Sequence, residues 1–153
     1  MNSTVGIFGS FIESNYADDL PGSGAGIYAD NSNLLIEGMD VNNNNSSSGS
    51  GGGIYLTNSS INILESTIRG NSALKQGGGV FIENGSSFNA EFDVTVSWNN
   101  TTQDCFTGQG SQGAGFYVSQ SNVQYNGGYI YSNRSADAGG AIFVTNGSSV
   151  NLS

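Results

Sequence analysis

A glycine-headed hexapeptide recurs five times along the chain, at intervals that are mostly close to 26 residues. One copy is Gly51-Gly52-Gly53-Ile54-Tyr55-Leu56. The copies define five coils, which begin near Gly24 (coil 1), Gly51 (coil 2), Gly77 (coil 3), Gly113 (coil 4) and Gly139 (coil 5). A period of about 20–50 residues is typical of solenoids, in which each repeat buries its apolar face against the next.

Each hexapeptide carries the two-residue alternation of a β-strand. In coil 2 the apolar Ile54 and Leu56 flank the aromatic Tyr55. We expect the apolar pair to face a core and the aromatic residue to face outward, because successive side chains of a strand point to opposite faces. An Asn or Gln follows two residues after the hexapeptide, next to Ser or Gly, and this favours a tight turn.

Two further apolar segments complete each repeat. In coil 2 they are Ile61-Asn62-Ile63 and Ile68-Arg69-Gly70-Asn71. Three short strands and three turns per coil of about 26 residues predict an all-β parallel β-helix of about five coils. Helical repeats fit poorly, because no segment sustains a helical period and Gly and Asn weaken helices.

We expect residues 1–153 to form a single segment of this β-helix. Residues 100–112 interrupt the period and predict a loop insertion. The chain begins and ends within a coil, and neither end carries an obvious polar cap of the kind that solenoids need. We therefore expect part of a longer stack, or coils that stack end to end between chains.

The charge balance excludes several classes of partner. The chain has 3 Lys plus Arg against 12 Asp plus Glu, for a net charge of −9. Such an acidic chain repels phosphate groups, so we expect no binding to nucleic acid.

No apolar run approaches the length of a membrane span, so we expect no membrane insertion. The single Cys105 excludes an intrachain disulfide and predicts, at most, an intermolecular thiol in the 100–112 loop.

One Asn recurs after the third strand of each coil. Stacked coils would place these residues above one another in a ladder of side-chain amides. The predicted ladder consists of Asn44, Asn71, Asn99 and Asn133. A ladder of this kind is structural and needs no ligand.

The outward position of the first strand is always aromatic. The resulting stripe consists of Tyr28, Tyr55, Phe81, Tyr117 and Phe143. Cross-strand stacking that stabilises the sheet explains the stripe without a ligand. The alternative is a docking surface for a neighbouring fibre, a receptor or a glycan, because a contiguous exposed apolar patch usually contacts a partner.

Asn-x-Ser/Thr sequons are more frequent than chance gives, although duplicated turns account for part of the excess. The best candidates for glycosylation lie at the predicted outer turn, at Asn58, Asn84 and Asn146. Asn133 belongs to the predicted ladder and is a poorer candidate. In a eukaryotic host this pattern predicts a glycosylated extracellular protein.

Enzyme chemistry finds little support in the sequence. The chain has no His, which excludes a His base, a Ser-His-Asp site and a His-bound metal. Three acids at nearby positions of successive coils could bind Ca²⁺, although a solvated face explains them more simply; they are Glu37, Glu65 and Glu91. We expect no enzymatic activity, no cofactor and no metal.

The repeat resembles that of the chlamydial polymorphic membrane proteins, which alternate Gly-Gly-Ala-Ile with Phe-x-x-Asn. Gly139-Gly140-Ala141-Ile142 matches the first motif in full, while Ile68, Val96 and Ile130 replace the Phe of the second. The resemblance implies a right-handed parallel β-helix and a surface adhesin. The broader pectate-lyase-like superfamily shares this fold and includes enzymes that cleave sugars.

These observations lead us to expect an extracellular or cell-surface structural protein. Its coils would form a segment of a fibre or surface filament, with copies of itself as partners through end-to-end or lateral stacking. The alternative function is an adhesin that binds glycans or a cell-surface receptor through the aromatic stripe or the Cys105 loop. A polysaccharide lyase or hydrolase is a distant third.

Overall fold

The computed structural model describes residues 3–18, 22–102 and 110–153, and these form strands and turns without a helix. The strands are, in chain order, β1 (Ser3–Phe8), β2 (Phe11–Glu13), β3 (Tyr16–Ala17), β4 (Ile27–Asp30), β5 (Ser32–Glu37), β6 (Asp40–Asn42), β7 (Asn45–Ser46), β8 (Ile54–Thr57), β9 (Ser60–Leu64), β10 (Thr67–Arg69), β11 (Ser72–Ala73), β12 (Val80–Glu83), β13 (Ser87–Ser97), β14 (Asn100–Thr101), β15 (Phe116–Ser119), β16 (Asn122–Tyr131), β17 (Arg134–Ser135), β18 (Ile142–Thr145) and β19 (Ser149–Leu152).

Three parallel sheets run along the stack of coils. The aromatic sheet has the order β4-β8-β12-β15-β18, and the short sheet has the order β3-β7-β11-β14-β17. The long sheet contains the remaining nine strands, which pair from β1 through β5 and β9 to β13, from β2 through β6 and β10 to β13, and from β13 through β16 to β19. Equivalent strands of successive coils pair in parallel throughout, which confirms the predicted parallel β-helix of about five coils.

The long sheet differs from the prediction of three strands per coil. In coils 1 and 2 a bend divides this face into two strands, so each of these coils has four. In coils 3 and 4 the single strands β13 and β16 cover the whole face. Strand β13 crosses the bend as a bulge, in which Phe92 and Asp93 both have a φ of +53° and the register shifts between Glu91 and Val94.

The core lies inside the coils, where alternation predicted it. Ile54, Leu56, Val80 and Ile82 of the aromatic sheet are fully buried. The inward residues of the long sheet meet them there, including Ile61 and its counterparts. Coil 5 is less buried, because it packs against another coil on one side only, and Val144 is 44% exposed.

Backbone conformation explains the first glycine of the hexapeptide. Gly51 has a φ of +67°, and the first glycines of all five coils lie between +62° and +67°. Side chains rarely tolerate this left-handed region, which glycine enters freely. Gly51 ends the loop between β7 of the short sheet and β8 of the aromatic sheet, and its left-handed conformation turns the chain into β8.

The predicted insertion at residues 100–112 is narrower in the structure. Asn100–Thr101 forms β14, which pairs with β11 and β17. At the other side, Gln112 forms single parallel bridges with Gln76 and Ala138. Both flanks therefore belong to the regular coil. Cys105, the predicted intermolecular thiol, lies outside the described residues.

Candidate functional site

The corner between the long and short sheets holds the predicted asparagine ladder. Each ladder residue follows a residue of positive φ, such as Asn43 at +54° or Gly70 at +65°, which turns the chain by a sharp angle. Asn44, Asn71 and Asn99 are fully buried at this corner. The structure thus brings together the side chains that the sequence placed in one ladder.

The interior amides of the ladder, at Asn44, Asn71 and Asn99, use all of their hydrogen-bonding capacity on neighbouring coils. The Nδ2 of Asn71 donates to Asn99 Oδ1 at 3.0 Å and to the Val41 carbonyl at 2.8 Å. Its Oδ1 accepts from the backbone N–H of Asn44 at 2.9 Å and from Asn44 Nδ2 at 3.0 Å. With two donors and two acceptor positions occupied, the amide retains nothing for a ligand.

The ladder begins one coil earlier than predicted. Asn15 donates from its backbone N–H and from its Nδ2 to Asn44 Oδ1, at 3.1 and 2.8 Å. The sequence contained the signal, because Asn15 ends Ile12-Glu13-Ser14-Asn15, the third segment of a preceding partial coil.

A second ladder, of serines, was missed by the sequence analysis. Ser59 Oγ donates to the Thr57 carbonyl at 2.7 Å, and the Ser59 backbone N–H donates to Ser86 Oγ at 3.1 Å. The same backbone-to-hydroxyl bond links successive coils from Ser32 through Ser59, Ser86 and Ser121 to Ser148. These serines recur at the outer turn. The sequence analysis explained them only as residues that favour tight turns, so it did not predict the bonds between coils.

The aromatic stripe forms a continuous stack on the aromatic sheet. Ring centroids of successive coils are 4.8–5.4 Å apart and the ring planes deviate by 3–19°, from Tyr28 through Tyr55, Phe81 and Tyr117 to Phe143. Phe81 points outward but is only 7% exposed, because rings above and below cover it. Stacked neighbours cover both faces of each of the three inner rings, so these faces are not available to a sugar or a second aromatic ring.

A carboxylate binds the stack from the side. The Tyr55 hydroxyl donates to the Glu83 carboxylate of the next coil. Burial of the Tyr55 ring raises the pKa of its hydroxyl above the usual range, and the negative charge of Glu83 raises it further. Burial also raises the pKa of Tyr117. The hydroxyls of Tyr55 and Tyr117 therefore remain protonated.

The three candidate glycosylation residues lie at the exposed outer turn. Asn58, Asn84 and Asn146 have φ values of +48°, +55° and +54° and are exposed. Asn84 Nδ2 donates to Thr57 Oγ1 at 3.0 Å, and Asn146 Nδ2 donates to Ser119 Oγ at 2.9 Å. Asn133, by contrast, belongs to the half-buried end of the ladder and donates to the Val96 carbonyl.

The three acids considered for Ca²⁺ do not form one row. Glu37 and Glu91 both lie opposite Leu64, so they are two coils apart, and Glu65 lies beside them at the bend with a φ of +45°. No group of three or more His, Cys, Asp or Glu side chains comes together in the described parts of the chain. Over the same residues, no helix is long and apolar enough to span a membrane.

A comparison of the sequence with models of known protein families agrees with the stacked parallel strands of the structure. A family model described as "Right handed beta helix region" matches residues 52–153. The chain belongs to the right-handed β-helix family. This match confirms the predicted handedness, which the resemblance had implied. No curated protein and no solved structure is significantly similar to the chain.

Proposed function

We propose that this β-helix is a rigid structural segment of a fibre or surface filament and has no enzymatic activity. One observation carries the proposal: the recurrent side chains of each coil bond to their own counterparts in the next coil. The asparagine ladder, the serine ladder and the aromatic stack all run along the axis of the stack. Side chains that are occupied in this way stiffen a rod and do not converge on a reacting group.

The surface grooves support a non-enzymatic role. A groove of about 440 Å³ lies among the described residues and is open to solvent. The described residues that line it supply the Arg134 guanidinium with hydroxyl, amide and methyl groups, but no carboxylate. General acid–base catalysis of glycoside cleavage needs paired carboxylates, and lyase chemistry needs a base next to a bound anion.

An extracellular or cell-surface location is part of the same proposal. The resemblance to chlamydial surface proteins and the exposed sequon residues Asn58, Asn84 and Asn146 support it. Equivalent residues of adjacent coils are one strand spacing apart, roughly 4.8 Å. Because Asn58 and Asn84 are such neighbours, we expect a glycan on one of them to hinder glycosylation of the other.

Electron microscopy of the protein purified from its native source tests the structural role. Uniform filaments whose long axis carries a repeat near the strand spacing are the expected result. Discrete short rods or anchored particles would contradict a filament built by end-to-end stacking. Intact mass before and after enzymatic removal of N-glycans tests the modification, and a mass equal to the bare polypeptide would exclude it.

A surface binding module is the second candidate function, with a glycan or receptor as partner. The observation that favours it is Tyr28, which begins the aromatic stack and remains 56% exposed. Tyr28→Ser should abolish binding to glycans or cell surfaces if the stack is the docking surface. Binding that survives this change would show that the aromatic stack is not the docking surface.

A further inference from the structure

Trp98 occupies a backbone position that suits it poorly. It has a φ of +57°, at the corner where the other coils carry Ser14, Asn43, Gly70 and Ser132. Positive φ is a clear outlier for a bulky residue, whereas Gly and Asn tolerate it. Burial does not offset this strain, because Trp98 is 55% exposed. A strained and exposed aromatic residue that replaces small residues of the repeat indicates a binding role.

Beside Trp98, one row of outward side chains holds polar groups without partners. In register, Asn42 lies next to Arg69, Arg69 next to Ser97, and Ser97 next to Tyr131. The Oδ1 of Asn42 and the Oγ of Ser97 are buried and accept or donate no hydrogen bond within the described structure. The Arg69 guanidinium makes neither an ion pair nor a hydrogen bond with residues 3–18, 22–102 or 110–153.

This row contrasts with the rest of the molecule. In the ladders the polar atoms of each coil are paired with the next coil, whereas three adjacent residues here keep an acceptor, a hydroxyl and a guanidinium unpaired. Leaving a buried polar group unpaired costs free energy that a ligand can recover by bonding to it. Asn42, Asn43 and Arg69 also line a notch of about 190 Å³.

Aromatic faces remain free around the same row. Tyr129 and Tyr131 flank Ile130, which packs against the core, so both rings point outward; they are 67% and 47% exposed. Neither these rings nor that of Trp98 stacks on another ring among the described residues. Their faces are accessible, unlike those of the inner rings of the aromatic stack.

We propose that this patch, formed by Asn42, Arg69, Ser97, Trp98, Tyr129 and Tyr131, binds a pyranose unit of a neutral glycan. The apolar face of a sugar ring packs on an aromatic face, as amphipathic groups do. Sugar hydroxyls both donate and accept, so one ring can accept from the Arg69 guanidinium. When the flexible Arg69 side chain moves aside to make this bond, the same ring can bond to Asn42 Oδ1 and Ser97 Oγ, which lie next to Arg69 in the row. The net charge of −9 disfavours a polyanionic glycan.

A protein partner is less well matched to this patch. Trp, Tyr and Arg also dominate protein interfaces, but there they surround a desolvated apolar centre. Here the outward positions between the rings are polar, at Thr67, Thr95 and Ser97. The patch lies on the long sheet, away from the aromatic stack, and does not depend on whether the coils form a fibre.

Trp98 is the single tryptophan of the chain, so its fluorescence reports directly on this patch. We would titrate the intact protein with hexasaccharides of glucose, mannose, galactose and N-acetylglucosamine, and with hexagalacturonate for comparison. At least one neutral hexasaccharide should shift or quench the emission saturably, and hexagalacturonate should bind more weakly. No saturable change with any neutral sugar, or tighter binding of hexagalacturonate, would overturn the proposal.

Single-residue variants test whether the sugar binds at this patch. Sugar binding to Trp98→Asn, which lacks the fluorescent residue, is measured by isothermal titration calorimetry. Arg69→Gln and Ser97→Ala should each weaken binding about tenfold, and Trp98→Asn should abolish it. The Trp98→Asn variant should unfold at the same or a higher temperature than the parent, because Asn43 adopts the same conformation at this corner. Lys75→Gln is the matched control for Arg69 and should bind normally.

Two results would assign the patch to something other than a glycan. Sugar affinity that Arg69→Gln and Trp98→Asn leave unchanged would place the sugar elsewhere. An emission shift that depends on protein concentration alone, and that follows self-association in sedimentation velocity, would make the patch an interface between copies of this chain.

Discussion

Gly53 and its equivalents show how one residue position is dictated by the neighbouring coil. A side-chain carbon on Gly53 would lie 2.6 Å from the Gly79 carbonyl oxygen and 2.9 Å from Asn71 Nδ2. Gly26, Gly79 and Gly115 are enclosed in the same way by the next coil and by a ladder amide. In coil 5, where no further coil packs in the structure, Ala141 takes this position. The close approach of two backbones, and not a need for flexibility, explains why glycine occupies the third position of the hexapeptide in coils 1 to 4.

Substitution of Gly53 by Ala should therefore destabilise the fold. We expect a loss of about 2 kcal/mol in the free energy of unfolding, because two coils must move apart to admit the methyl group. Urea unfolding followed by circular dichroism measures this change. Ala141→Gly is the control and should cost less than about 1 kcal/mol. An unchanged midpoint for Gly53→Ala would show that the coils are not in close contact here.

At the scale of the element, the ladders align the coils. Apolar contacts inside the stack do not define a unique register between coils, because Ile, Val and Leu pack in several arrangements. Asn71 bonds to both neighbouring coils with its side chain, and a shift of one residue would break all of these bonds. Buried polar groups of this kind stabilise one register at the expense of the others.

Removal of Asn71 should cost much more than removal of Asn15. Asn71→Ala leaves buried groups of Asn44, Val41 and Asn99 without partners, and we expect a loss of roughly 3 kcal/mol in the free energy of unfolding. Asn15 lies at the exposed start of the ladder, so Asn15→Ala should cost about 1 kcal/mol. Thermal or urea unfolding of both variants measures the difference. Equal losses would mean that the ladder contributes no more in the interior than at its end.

At the scale of the whole molecule, stability depends on contacts between adjacent coils. Each coil packs only against its neighbours, so a defect in one coil disrupts the stack on both sides of it. Coil 2 lies between two others, and Ile54 at its centre is fully buried.

A charge at the centre of coil 2 should therefore be severely destabilising. Ile54→Asp places an unpaired carboxylate among apolar side chains, with an expected loss of roughly 4 kcal/mol or more. The matched control is Asn62→Asp, which adds the same charge to an exposed outward position of the same coil and should change stability by less than about 1 kcal/mol. Thermal unfolding that is the same for Ile54→Asp and the parent would refute the inward assignment of Ile54.

Stability should also decrease at high pH. Burial raises the pKa of Tyr125, whose ring is 4% exposed in the core and whose hydroxyl donates to the Val94 carbonyl. The folded state therefore retains a proton that the unfolded state loses above its ordinary pKa of about 10. The contribution is complete below that pH and is lost as the pH rises toward the folded pKa.

Unfolding free energies measured between pH 8 and 11 test this dependence. The decrease above about pH 10 should be smaller in Tyr125→Phe than in the parent protein. Tyr16→Phe, which removes a hydroxyl at an exposed position, is the matched control variant. A decrease of equal steepness in Tyr125→Phe would show that another group causes the alkaline loss of stability.

The sequence by itself determined the parallel β-helix of about five coils and most of the asparagine ladder. These features repeat at a fixed spacing, and both strand alternation and coil period can be seen in a single chain. Alternation also gave the correct direction of Phe81. It could not show that Phe81 is almost completely covered, because coverage depends on the rings of Tyr55 and Tyr117 in other coils.

The row that joins Arg69, Ser97 and Tyr131 was decided only by the tertiary structure. Arg69 and Ser97 are 28 residues apart, whereas Ser97 and Tyr131 are 34 apart, since loops of different length separate the coils. Loop length does not alter the hydrogen bonds between strands, so the register of the sheet aligns these side chains despite their unequal spacing. Exposure and unpaired polar atoms likewise arise from neighbours that are distant in sequence, and no period reveals them.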